Sequence, residues 1–78
     1  MLQLTLADIK RGQLGIIIDV SSIHIPFKLF EMGCLPGNSV ELSLVAPFSD
    51  PMYLNINGTH PAIRKETAKH ILIDIFNE

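Results

Sequence analysis

The side chains best suited to metal or nucleophilic chemistry are three histidines, His24, His60 and His70, and one cysteine, Cys34. Their spacing contains no His-x-x-x-His pair, the arrangement that lets one helix present two imidazoles to a metal ion. No histidine or aspartate lies at a catalytic spacing beside Cys34, so we expect this thiol to pack as a small apolar side chain. We therefore predict neither a metal site nor a catalytic residue.

The glycines and charged residues point away from nucleotide and nucleic-acid chemistry. Neither Gly-x-x-x-x-Gly-Lys-Ser/Thr nor Gly-x-Gly-x-x-Gly occurs, so no phosphate-binding loop is predicted. A formal net charge of -2 with only six Lys and Arg gives no basic face for phosphate groups. The sequence predicts no enzyme, no cofactor and no nucleic-acid partner.

Length and cysteine count bound the protein class. With 78 residues, we expect a single domain over residues 1–78. One cysteine cannot close an intramolecular disulfide, which excludes a disulfide-stapled secreted scaffold. The N-terminus does not resemble a signal peptide, and no apolar run reaches the roughly 20 residues of a membrane span. We expect a cytoplasmic protein that does not itself span the membrane.

Short alternating segments predict the strands of an all-β domain. Apolar residues repeat with period two or follow turn signals in segments 3–5, 14–20, 40–44, 52–56, 59–63 and 71–75. In segment 14–20 the alternation favours a core face made of Leu14, Ile16, Ile18 and Val20. Val40, Leu42 and Leu44 are expected to face the core in the next strand.

Two short helices and several tight turns complete the expected architecture. Segment 26–32 begins at Pro26 and stops at Gly33, which suits a left-handed helix end. Asn57-Gly58 is a strong hairpin signal because both residues tolerate positive φ. Segment 65–70 is charged and compatible with a helix. We therefore predict a small, strongly bent β-barrel of five to six short strands with one or two short helices.

Some apolar residues exceed what this core arrangement needs. They fall on the face opposite the expected core or in a loop: Ile17, Val45, Phe48, Leu72 and Phe76. Three uses stay open for them: a docking patch, a second packed layer against the helices, or a surface for homo-oligomers.

Four segments, in order, resemble the motifs of the FeoA family. Residues 28–37 match a basic residue, leucine, three residues, glycine, two residues and Pro-Gly, with Lys28 in place of the usual arginine. Residues 46–51 resemble Ala-Pro-x-Gly-Asp-Pro, with Ser49 in place of glycine. Residues 63–68 resemble Leu-Arg-Lys-x-x-Ala, and residues 4–12 resemble the family's opening segment. The resemblance covers nearly the whole chain.

This resemblance implies an SH3-like barrel in the bacterial cytoplasm and a role in ferrous iron uptake. It implies an accessory or adaptor protein that binds FeoB, the membrane transporter with a GTPase domain. Two alternatives stay open: a regulatory module related to the C-terminal domain of iron-dependent repressors, and an iron chaperone that uses histidine and cysteine ligands.

The matched motifs also select the residues expected to bind the partner: Lys28, Leu29, Asp50, Arg64 and Lys65. A structural role is the alternative, and the more common one, for Asp50 and Arg64. Asp50 would bond backbone N–H groups in a turn. Arg64 would tie loops together through backbone carbonyls or a carboxylate such as Asp50 or Glu31.

Overall fold

The chain forms a mainly antiparallel β-structure with two short helices, as predicted. The computed structural model describes residues 4–45, 47 and 50–76. Its elements are β1 (Leu4–Thr5), a 3-10 turn (Leu6–Asp8), β2 (Leu14–Val20), α1 (Phe27–Glu31), β3 (Ser39–Val45), β4 (Met52–Ile56), β5 (Ala62–Ile63), α2 (Lys65–Ala68) and β6 (Ile71–Ile75). The predicted return strand over 59–63 is shorter, with a single bridge from Thr59 to Ile56 before β5.

All six strands belong to one sheet in the order β1-β6-β2-β3-β4-β5. In a flat sheet of six strands the first and last strands would lie about 24 Å apart, and the sheet would be only one layer thick, since neighbouring strands lie about 4.8 Å apart. The Cα atoms instead extend 30 × 26 × 23 Å, so the sheet bends around its core. β1 and β5 are its two ends, and within the described residues no ladder closes the barrel. The prediction of a bent sheet is confirmed, but the sheet stays open.

The core phase predicted for β2 is wrong for Ile16 and Ile18 but right for Val20, which pairs with the buried Ile71 and packs against the core. Ile17 is 1% exposed and belongs to the core, whereas Ile16 and Ile18 are 39% and 41% exposed. Period two cannot select a face here because apolar residues lie on both faces of the strand. The inward position before Ile17 is Gly15, where a Cβ atom would lie 2.9 Å from the Asp74 carbonyl oxygen. A glycine therefore occupies an inward position of β2, and apolar periodicity does not identify a glycine as a core residue.

Bulges also change the strand phases. An extra residue in β2 between Ile17 and Asp19 leaves Ile18 and Asp19 both exposed. The prediction that Leu44 faces the core is wrong, since Leu44 is 52% exposed. The cause is a second irregularity, between Leu42 and Leu44 of β3. A bulge inserts one residue into the ladder and so reverses which side chains face the core beyond it.

The turn predictions are confirmed. α1 is followed by Gly33 with φ +97°, and the hairpin after β4 has Asn57 at φ 52° and Gly58 at φ 83°. The hydroxyl of Thr59 lies 2.6 Å from the carbonyl oxygens of both Met32 and Ile56 and donates to one of them at a time. This contact ties the hairpin to the end of α1.

The residues counted as an apolar surplus divide into several groups. Ile17 packs in the core, Leu72 is half-buried and Phe76 is 56% exposed. Phe48 and the side chain of Val45 lie outside the described residues. In the described part of the chain, no helix has the length and apolar character to cross a bilayer.

The first prediction concerns Leu42, Ile56 and Leu44. Leu42→Ala and Ile56→Ala should each lower the free energy of unfolding by about 2–5 kcal/mol, because each removes a side chain at most 3% exposed. Leu44→Ala is the matched control and should change it by less than about 0.5 kcal/mol. Urea denaturation of the three variants measures this, and an equal loss at Leu42 and Leu44 would contradict the bulge.

Candidate functional site

A shallow groove between α1, β5 and α2 brings together several of the residues that the motifs select. Its volume is about 230 Å³. The lining residues are Pro26, Lys28, Leu29, Ala62, Ile63, Arg64 and Thr67. The groove is therefore apolar in its centre, with a lysine on one helix and an arginine at the start of the other.

Local sequence fixes the two cations at this groove. Pro26 precedes the first turn of α1, and Leu29 packs into the core with 9% exposure, which leaves Lys28 on the solvent side. Across the groove, Ile63 at 1% exposure and Ala68 at 0% anchor the chain on both sides of Arg64. Because buried apolar neighbours hold each backbone, both charged side chains start from fixed positions.

Asp50 joins the loop before β4 to the start of α2. Its Oδ1 atom accepts a hydrogen bond of 3.0 Å from the backbone N–H of Lys65, the first residue of the helix. Its Oδ2 atom lies 3.8 Å from Nη1 of Arg64. The bond to Lys65 gives an acceptor to a helix N–H that lacks a partner within the helix, and the carboxylate charge suits a helix start.

The structural role predicted for Arg64 is confirmed in one respect, since its guanidinium pairs with Asp50 rather than Glu31. The pair is exposed, with relative side-chain exposures of 73% for Arg64 and 38% for Asp50, so it contributes about 0–1 kcal/mol. Asp50 itself accepts a bond from the start of a helix that is distant in the sequence. Arg64 thus keeps most of its donors toward solvent, and its binding role stays a prediction.

The five predicted residues are not equivalent in the structure. Lys28, Leu29 and Arg64 line the groove, and Asp50 reaches it through Arg64. Lys65 supplies its backbone N–H to Asp50 and is not among the groove-lining residues. The sequence did not predict the other four groove-lining residues as site residues, because only the fold groups them: Pro26, Ala62, Ile63 and Thr67.

A contact between two histidines was also missed by the sequence. The rings of His24 and His70 are stacked, with centroids 3.9 Å apart and an interplanar angle of 4°. Nδ1 of His24 lies 2.9 Å from the hydroxyl oxygen of Ser21, and the backbone N–H of Ser21 donates to the His70 carbonyl. The stack therefore holds the loop before α1 against the turn that leads into β6.

The stacked position lowers the pKa of His70 below its ordinary value. Desolvation is the largest cause, and the charges of His24 and Lys69 add to it, whereas Glu66 acts in the opposite direction. The folded protein thus favours the neutral imidazole at this position.

Cys34 is buried in the core, as expected for a thiol that packs as a small apolar side chain. Burial raises the pKa of this thiol to about 11, so very little thiolate forms at neutral pH. His60 is exposed. Among the residues that the structure describes, no three His, Cys, Asp or Glu side chains are grouped as a metal ion would need.

Comparison with known proteins identifies relatives over almost the whole chain. The family model described as the FeoA domain matches residues 4–75. No curated protein matches the chain. The solution structure of FeoA from Chlorobium tepidum is similar with a TM-score of 0.85 at 24% identity, and the match covers 95% of this chain and 71% of that one.

Two further solved structures are similar. Iron(II) transport protein A from Clostridium thermocellum matches with a TM-score of 0.81 at 28% identity, over 92% of this chain and 45% of that one. FeoA from Stenotrophomonas maltophilia, determined with zinc, matches with a TM-score of 0.76 at 22% identity, over 91% and 89%. The latter is described as a prokaryotic SH3 domain protein, which agrees with the SH3-like fold expected here.

The contact between Asp50 and α2 yields the second prediction. Asp50→Ala should lower the free energy of unfolding by about 1 kcal/mol, because the Lys65 N–H loses its acceptor. Asp50→Asn keeps an oxygen at this position and should lose less. Arg64→Ala, the control for the ion pair, should lose less than Asp50→Ala and at most about 1 kcal/mol, because the pair is exposed. Thermal denaturation measures all three, and a harmless Asp50→Ala would contradict the capping role.

The third prediction concerns pH. A histidine whose pKa is lowered on folding binds its proton more readily in the unfolded chain, so stability falls as the pH drops through the unfolded pKa. The Tm should therefore decrease between about pH 7.5 and about pH 5.5, and His70→Gln should reduce that decrease. A variant with the same pH dependence as the wild type would show that the stack does not disfavour the charged imidazole.

Proposed function

The chain belongs to the FeoA domain family, and we propose that it is a non-catalytic accessory protein of ferrous iron transport in the bacterial cytoplasm. The Stenotrophomonas relative is described as a candidate activating factor of bacterial ferrous iron transport, and the Clostridium thermocellum relative as iron(II) transport protein A. The family match over residues 4–75 is the observation that carries the proposal.

The partner in this proposal is the cytoplasmic part of the FeoB transporter, and the groove between α1, β5 and α2 is the docking site. Its apolar centre suits one apolar side chain of a partner segment, and Lys28 and Arg64 suit neighbouring carboxylates. Phe27 lies between two groove-lining residues in the sequence and is 74% exposed, which adds apolar area beside the groove.

Arg64 is suited to such a contact because its present ion pair is weak. The guanidinium has five N–H donors in a planar fork, and its Nη1 atom lies 3.8 Å from Oδ2 of Asp50, beyond hydrogen-bond distance. A partner carboxylate could therefore pair with the outward side of the fork without removing Asp50 from α2. Lysine at position 28 provides charge without a fork, so we expect it to contribute less than Arg64.

An effect on transport requires differential binding. A protein that binds two states of a transporter equally well shifts neither, whereas one that prefers a state shifts the equilibrium by that preference. We therefore expect the affinity to depend on whether the GTPase domain of FeoB holds a GTP analogue. Iron carriage by the chain's own His24, His60 and Cys34 has less support, because Cys34 lies in the core while His24 and His60 are exposed.

The fourth prediction tests this proposal by calorimetric titration into FeoB of the same organism in a membrane mimetic, with and without a GTP analogue. Saturable binding is expected in at least one nucleotide state. Arg64→Ala should weaken it about tenfold or more, as expected for an interface arginine, and Lys28→Ala should weaken it less.

Lys10→Ala is the matched control, because Lys10 is exposed and is not among the groove-lining residues. It removes the same charge and should leave the affinity within about twofold of the wild type. Circular dichroism must show that each variant is folded. Absence of binding in both nucleotide states would contradict the proposal and favour a regulatory module with another partner.

A further inference from the structure

The outer surface of β2 and β6 is a second apolar face, separate from the groove. Five residues define what we call the outer face: Leu14, Ile16, Ile18, Leu72 and Phe76. Directly paired residues of an antiparallel ladder share a side, so Ile16 lies on the side of Asp74, Leu72 on the side of Asp19 and Leu14 on the side of Glu41. Ile18, the extra residue of the bulge, is 41% exposed. Phe76 continues the alternation of β6, since its N–H donates to the Leu14 carbonyl.

This outer face is not needed by the core. The inward residues of the same strands, Ile17, Ile71 and Ile73, are at most 1% exposed. Both helices pack on that inner side, where Leu29 and Ala68 join the core cluster. In contrast, Ile16, Ile18 and Phe76 are 39%, 41% and 56% exposed. Adjacent exposed apolar residues with polar neighbours are typical of a binding surface.

The charged residues that ladder pairing places on this side of β2, β3 and β6 are all acidic. Ladder pairing places Glu41 opposite Leu14, Asp74 opposite Ile16 and Asp19 opposite Leu72, all on the outer side. None of the six strands contains a lysine or arginine, so no cation within the sheet offsets these carboxylates. The outer face is therefore apolar with an acidic border, the reverse of the groove with its two cations.

The apolar residues and the acidic border of the outer face together limit which kind of partner can bind there. A second copy docked by a two-fold axis through the same surface would bring like carboxylates toward each other. An anionic membrane surface would repel the acidic border. A helix packed on a sheet is a standard way to cover an apolar sheet face, and lysines or arginines beside its apolar stripe would meet the carboxylates.

We propose that the outer face binds a cationic amphipathic helix of a protein partner, with the apolar stripe of that helix on Ile16, Ile18 and Phe76 and its cations near Asp19, Glu41 and Asp74. This contact is independent of FeoB binding at the groove. A chain with both contacts joins two segments of opposite charge.

The test uses a synthetic amphipathic helical peptide of leucine and lysine and the full chain labelled with nitrogen-15. Amide resonances of β2 and β6 should shift saturably, and calorimetry should give one binding site. Two probes serve as controls: a peptide of the same composition with the lysines scrambled around the helix, and a leucine–glutamate peptide. Both should bind at least about tenfold more weakly than the leucine–lysine peptide. The scrambled peptide lacks the apolar stripe, and the leucine–glutamate peptide carries charges of the same sign as the outer face.

Variants locate the contact. Ile16→Ser and Asp74→Lys should each weaken the leucine–lysine peptide about tenfold, and Phe76→Ser, outside the strands, provides an apolar change that spares the ladder. Arg64→Glu in the groove should leave the affinity unchanged or slightly higher. These measurements do not involve FeoB. The peptide can therefore fail to bind the outer face while FeoB still binds the groove, and FeoB can fail to bind while the peptide still binds the outer face.

Four results would overturn the proposal. Equal binding of the scrambled peptide would mean attraction by net charge alone. Resonance shifts confined to residues 26–29 and 62–67 would assign the peptide to the groove. A concentration-dependent dimer that Ile16→Ser abolishes, or binding to anionic vesicles through this face, would assign the outer face to a second copy or to a membrane.

Discussion

The close pairing of β2 with β6 is the constraint on which most of the structure depends. At Gly15 the two strands approach so closely that an added Cβ would lie 2.9 Å from the Asp74 carbonyl oxygen. Real Cβ contacts are almost never that short, so a side chain at this position would force the strands apart. This pairing directs Ile17 and Ile73 into the core, and it leaves Ile16 and Asp74 on the outside. The same two strands thus contribute Ile17, Ile71 and Ile73 to the core and form one exposed surface.

The groove depends on a different contact, between a loop and a very short helix. α2 has only four residues, so its own hydrogen bonds cannot hold it in water. Burial of Ala68 and the acceptor that Asp50 offers to the Lys65 N–H fix its start, and Arg64 is placed as a result. Asp50 therefore shapes the groove without lining it, which explains why the motif includes an aspartate beside a predominantly apolar and cationic site.

The sequence predicted the strands, both helices and the turns, because periodicity, Asn57-Gly58 and Gly33 are local signals. It failed where burial is decided by distant contacts. Ile16 and Ile18 could not be distinguished from Ile17, since only the pairing with β6 and the bulge select the inner side. Leu44 was assigned to the core because a bulge leaves no mark in the alternation. At the site, the motif resemblance selected Lys28, Leu29 and Arg64, which do share the groove. The stacking of His24 on His70 could not be predicted, because the two residues are 46 positions apart in the sequence and carry no local signal.

The central claim is that FeoB binds in the groove between α1, β5 and α2. Hydrogen–deuterium exchange of the chain alone and in complex with FeoB in a membrane mimetic tests it directly. The claim predicts slower exchange on binding in segments 26–29 and 62–67, which contain the groove-lining residues, with little change in the hairpin at residues 56–59. Slower exchange confined to β2 and β6, or no change in a complex shown to form, would contradict it.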